Sequence, residues 1–87
     1  MAKVDIEVTN QTGLHARPAQ QLVQEANKFT SDIKIVKGDK EADAKSILGV
    51  MTLGVEPGTT ITLTADGDDE DEALEKLTNL IKNNFNE

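Results

Sequence analysis

Residues 33–44, Ile33-Lys34-Ile35-Val36-Lys37-Gly38-Asp39-Lys40-Glu41-Ala42-Asp43-Ala44, decide the fold. Ile33 and Ile35 alternate with Lys34, the pattern of a strand with one buried face. Gly38-Asp39 suits a two-residue hairpin turn, and Lys40 to Ala44 return as a short partner strand. A hairpin here makes the sheet antiparallel, so the flanking segments must supply further strands and a cover for the apolar face.

Upstream, Val4, Ile6 and Val8 alternate with Lys3, Asp5 and Glu7 in a first strand, and Asn10-Gln11-Thr12-Gly13 is a turn cluster. Ala16, Ala19, Leu22, Val23 and Ala26 then share one helical stripe. Pro18 falls in the first helical turn, where its missing N–H costs nothing, and the helix starts within Leu14 to Pro18. Downstream, Ser46 reads as an N-cap and Gly54 as the stop of a short helix. Ile47, Leu48 and Met51 lie on one side of it, Val50 and Leu53 on another. A two-layer fold buries only one side, which leaves the other as a docking surface; Leu48 and Met51 are also open to a core role, since a small domain needs its apolar groups.

Glu56-Pro57-Gly58-Thr59 has the form of a type II turn, and a fourth strand follows with Ile61, Leu63 and Ala65 between Thr60, Thr62 and Thr64. After Asp66-Gly67 the acidic run Asp68 to Glu72 opens a last helix, whose stripe is Ala73/Leu74, Leu77, Leu80/Ile81 and Phe85, with Lys82 near its end. The run lacks the glycine and distant glutamate of an EF-hand, so it reads as a helix start rather than a calcium site. The order β-α-β-β-α-β-α describes one α+β domain over residues 1–87, a two-layer sandwich with an antiparallel sheet and helices on one face.

The composition bounds the chemistry. Eighty-seven residues hold one modest core and no deep enclosed cavity. The absence of cysteine excludes disulfides, thiolate metal sites and thiol nucleophiles. A net charge of −7 and only two aromatic residues, Phe29 and Phe85, argue against nucleic acid as a partner. No segment reads as a signal peptide or membrane span, so the expected setting is the cytoplasm, without membrane insertion.

His15 is the only histidine, within Gly13-Leu14-His15-Ala16-Arg17-Pro18-Ala19 at the junction of turn and helix. A helix N-terminus presents unpaired N–H groups and a positive partial charge, an environment suited to phosphate. Arg17 adds a permanently charged guanidinium, although a solvated surface arginine would read the same way. The positive field also favours the neutral, nucleophilic imidazole. One histidine cannot build a zinc site alone, and neither a serine–histidine–aspartate nor a P-loop pattern is present. A nucleophile beside an anion cradle, with no pocket for an organic substrate, suits a protein that carries a phosphoryl group between other proteins.

The stretch from Gly13 to Ala19 resembles the active-site motif of the HPr family, the histidine-containing phosphocarriers of the bacterial phosphoenolpyruvate:sugar phosphotransferase system. Lys45-Ser46-Ile47-Leu48-Gly49-Val50-Met51 is similar to that family's second motif, around a regulatory serine. The likeness spans the whole chain. It implies a four-stranded sheet in order 1-4-2-3 with three helices on one side, and a monomeric carrier rather than an enzyme, without cofactor or metal. It implies that His15 accepts a phosphoryl group on Nδ1 from Enzyme I and passes it to EIIA domains. Arg17 would stabilise the transferring group, and the backbone N–H groups of Ala16 and Arg17 would receive it. Ser46 would be the site of an HPr kinase/phosphorylase that links the protein to a catabolite-control transcription factor, and Ile47, Leu48 and Met51 would dock partners.

Some positions depart from the family pattern. Gln20 replaces a small residue or threonine, Thr52 stands where serine is frequent, and Gln24, Asn27 and Gly49 are uncharged where enteric members have lysine. Arg17 and Lys45 are then the basic groups left near the site. Two rival readings remain: a phosphocarrier of the nitrogen-related branch, and a regulatory module of the same fold, of the kind called Crh, acting on a transcription factor. Crh modules lack the active histidine, so His15 argues against the second.

Overall fold

A computed structural model of the chain describes residues 1–86. Its elements are β1 (Ala2–Val8), α1 (Ala16–Ala26), β2 (Asp32–Lys37), β3 (Lys40–Asp43), α2 (Ile47–Thr52), β4 (Thr59–Asp66), α3 (Glu70–Lys82) and a short 3-10 turn (Asn84–Asn86). The strands form one antiparallel sheet in the order β1-β4-β2-β3, with three α-helices, so the fold is the α+β open-faced sandwich that the hairpin and the element order predict. Lys37 pairs with Lys40 across the Gly38-Asp39 turn.

Alternation in the strands produces the two faces. Ile6, Val8, Ile33, Ile35, Ile61, Leu63 and Ala65 are buried beneath the helices, against Ala19, Leu22 and Val23 of α1 and Leu74, Leu77 and Ile81 of α3. Fully burying one such aliphatic side chain is worth about 1.5–3 kcal/mol, so this single layer carries most of what opposes chain entropy. The opposite face is polar: Asp5 sits opposite Thr62, whose hydroxyl donates to the Asp5 carboxylate at 2.6 Å.

The helix start at Ala16 falls within the expected window, while one stripe position and two element ends differ from the sequence reading. Ala16 is exposed rather than part of the buried stripe, because its φ of 23° takes it out of the helical geometry on which the stripe depends; Pro18 is buried in that turn instead. β3 ends at Asp43, although the Ala44 N–H still bonds the Ile33 carbonyl at 2.9 Å. α3 ends at Lys82, and Phe85 is not on its stripe. The chain turns left-handed at Asn84 and Phe85, with φ of 52° and 55°, and this reversal swings the Phe85 ring into the core at 1% exposure.

Candidate functional site

The loop before α1 is built to hold His15 at the surface. Gly13 has φ of 65° and lies so close to the chain after α2 that a Cβ would sit 2.3 Å from the Val55 carbonyl oxygen. Only glycine fits both conditions. The next residue, Leu14, is fully buried and its N–H donates to that same carbonyl at 3.0 Å. The Asn10 side-chain amide donates to the Gly13 carbonyl at 2.9 Å, closing the turn from inside. From the sequence, Leu14 reads as a helix boundary and Asn10 as a turn former; the apolar side chain just before the helix is the signal that the loop is anchored in the core.

With Leu14 fixed, His15 becomes the N-cap of α1, in extended conformation (φ −105°, ψ 167°) and with no side-chain capping bond. The first helical bond runs from the Ala19 N–H to the His15 carbonyl at 3.1 Å. The N–H groups of Ala16 and Arg17 stand ahead of that bond, without helical acceptors, and Pro18 has no N–H to add. Ala16 has φ of 23°, a backbone setting that costs a non-glycine residue about 1–3 kcal/mol and tends to occur at functional sites. His15, Ala16 and Arg17 surround one shallow depression with Thr12 and Pro18. Arg17 is exposed and has no ion-pair partner among the described residues. Chemically, the depression offers an imidazole, two backbone donors and a guanidinium to an incoming anion.

Glu56 also belongs to this neighbourhood, and the sequence reading missed it. Its Oε1 lies 3.4 Å from His15 Nε2. In the sequence, position 56 is only the first residue of a turn; its approach to His15 depends on the Leu14–Val55 bond, which no local pattern encodes.

Ser46, Leu48, Ile47 and Met51 form a second constellation on α2. The Ser46 hydroxyl accepts from the Gly49 N–H at 3.1 Å, the predicted cap. Val50 and Leu53 point into the core, whereas Ile47, Leu48 and Met51 are 44%, 79% and 39% exposed, which excludes the core role left open for Leu48 and Met51. Ser46 and Leu48 border an open groove shared with Lys40, Glu41 and Ala42 of β3, distinct from the depression at His15. Lys45 is not a free basic group: its ammonium donates to the Phe29 carbonyl at 2.8 Å.

An open-faced antiparallel sandwich with an imidazole at an exposed helix N-terminus defines the class of HPr-like domains. Residues 2–83 match the family described as "PTS HPr component phosphorylation site". The chain is 56% identical over 77 residues to the HPr-like protein Crh of Bacillus subtilis, covering 88% of this chain and 91% of that protein. It is 46% identical over 77 residues to the phosphocarrier protein HPr of Mycoplasma capricolum, covering 88% and 86% respectively. The structure of HPr-C-His from Thermoanaerobacter tengcongensis overlays with a TM-score of 0.98 at 52% identity, covering 100% of this chain and 98% of the other; a dimer of HPr from that organism gives 0.81 over the whole of both chains. The chain belongs to the HPr phosphocarrier family.

Proposed function

We propose that this protein carries a phosphoryl group on His15, taking it from the phosphohistidine of Enzyme I and handing it to EIIA domains of a sugar phosphotransferase system. The reading rests on the N-cap imidazole without a capping bond, set beside the N–H groups of Ala16 and Arg17, which precede the first helical bond, and the Arg17 guanidinium, which has no ion-pair partner among the described residues. Nδ1 of His15 attacks phosphorus, the helix end receives the phosphoryl oxygens, and Arg17 offsets their charge in the transition state. Ser46 is the regulatory phosphorylation site for an HPr kinase/phosphorylase, and Ile47, Leu48 and Met51 form the docking face. The carrier works as a cytoplasmic monomer.

The likeness to Crh supports a second role, contact with a transcription factor through the Ser46 face, compatible with transfer at His15. Incubation with Enzyme I and phosphoenolpyruvate, followed by intact mass, tests the main reading. Wild type gains one phosphoryl group, His15→Ala folds but gains none, and Arg17→Ala is labelled more slowly. Labelling of His15→Ala to an acid-labile, base-stable product overturns the assignment.

A further inference from the structure

We propose that Glu56 is a positioning residue for phosphoryl transfer: its carboxylate, held at ion-pair distance from His15 Nε2, closes to accept a hydrogen bond from Nε2–H and so fixes the tautomer that leaves the Nδ1 lone pair free. This rests on the phosphocarrier reading of His15 and concerns a residue that the nucleophile's own motif does not contain. The 3.4 Å approach of Glu56 Oε1 to Nε2 is set by backbone geometry on both sides. The Leu14 N–H bond to the Val55 carbonyl puts residue 56 alongside residue 15. The Glu56 main chain is itself held by a tight turn: the Thr59 N–H donates to the Glu56 carbonyl at 3.1 Å, and the Gly58 N–H donates to the Val8 carbonyl of β1 at 2.7 Å. Pro57 follows directly and stiffens the turn.

A neutral imidazole carries its proton on one nitrogen, and the partner of that nitrogen selects which. A carboxylate can only accept, so Glu56 beside Nε2 favours Nε2–H and presents an unprotonated Nδ1. When Nδ1 forms its bond to phosphorus, the phosphorus–nitrogen bond of the donor phosphohistidine breaks and its electron pair returns to the donor ring. The His15 ring keeps its Nε2 proton and becomes a phosphoimidazolium, whose new positive charge faces the Glu56 carboxylate. The pair is exposed, His15 at 44% and Glu56 at 69%, so solvent screens it and the effect is modest.

The test compares wild type, Glu56→Ala and a charge-matched control, Glu75→Ala on α3. Imidazole nitrogen-15 shifts are recorded in mildly alkaline buffer, and the initial rate of labelling by Enzyme I is measured in parallel. Glu56→Ala is expected to lower the Nε2–H fraction and slow labelling roughly two- to fivefold, while the control changes neither. An unchanged tautomer balance overturns the proposal, even if labelling slows, because Glu56 would then be acting on the donor protein. A shifted balance with an unchanged rate overturns it as well. If wild type takes no label at all, the phosphocarrier reading fails, and the ring spectra still decide whether Glu56 holds Nε2.

Discussion

Asp69 stands at the N-cap of α3, in the acidic run that the sequence presents as a helix opening, yet it makes no side-chain bond to its own helix. Its carboxylate instead accepts from the Ser31 hydroxyl, from the Thr30 N–H at 2.8 Å and from the Ser31 N–H at 3.0 Å, tying the loop before β2 to the start of α3. These donors, the Ser31 hydroxyl foremost, hold the Asp69 carboxyl at about 2, below its ordinary 3.8. A carboxylate held below its unfolded value stabilises the fold above that value and loses the contribution as pH falls. Asp69→Asn should therefore melt several degrees below wild type at neutral pH, with the gap closing between about pH 4 and pH 2. Parallel thermal melts across that window check it; a gap that persists unchanged at the acidic end would mean that the bonds, not the charge, carry the effect. His15 shows the same lesson from the other side. Its residue type and motif were readable, but its environment came from Leu14, Val55 and Glu56.

On the scale of one element, α2 is only six residues long, too short to hold itself together, and the chain secures both its ends. Ser46 caps the front, and the Lys37 ammonium of β2 donates to the carbonyls of Leu53 and Gly54 at the back, at 3.1 and 3.0 Å. The front cap was legible, whereas the rear one requires the hairpin to fold back alongside the helix. A phosphate on Ser46 would add roughly −1.5 to −2 charges where helix N–H groups point, stabilising the helix by about 0.3–1 kcal/mol. The same charge would lie beside Leu48 and oppose desolvation of the proposed docking face. Ser46→Asp should thus melt no lower than wild type while accepting phosphate on His15 more slowly. Ser46→Ala, which loses the cap, should cost about 1 kcal/mol of stability with near-normal transfer. Melting curves and Enzyme I labelling rates separate the two effects; normal transfer in Ser46→Asp would reduce Ser46 to a cap.

For the whole molecule, the folded chain leaves an apolar strip, Ile47, Leu48 and Met51, open to solvent, while Val50 and Leu53 of the same helix complete the core. At 79% exposure Leu48 contributes little to folding, and its removal tests the surface cleanly. Leu48→Ala should weaken association with Enzyme I by more than about 1 kcal/mol, since desolvated apolar anchors dominate interfaces, and should leave the melting temperature nearly unchanged. Titration calorimetry beside thermal melts checks this. A collapse in stability with normal affinity would return Leu48 to the core.

The strand alternation, the Gly38-Asp39 hairpin and the helix stripes determined the sandwich from the sequence, because each is a local period or turn that burial on one face imposes directly on residue choice. The motif around His15 was legible through its resemblance to a known family, and the Ser46 cap through the preference of helix N-termini for a serine hydroxyl. Tertiary structure alone decided what crosses between distant segments: Glu56 at Nε2, Leu14 against Val55, Asp69 on the Ser31 loop, Lys37 behind α2, and Phe85 turned into the core by two left-handed residues. Such contacts depend on how separate elements dock in space, and neither propensity nor periodicity within an element carries that information.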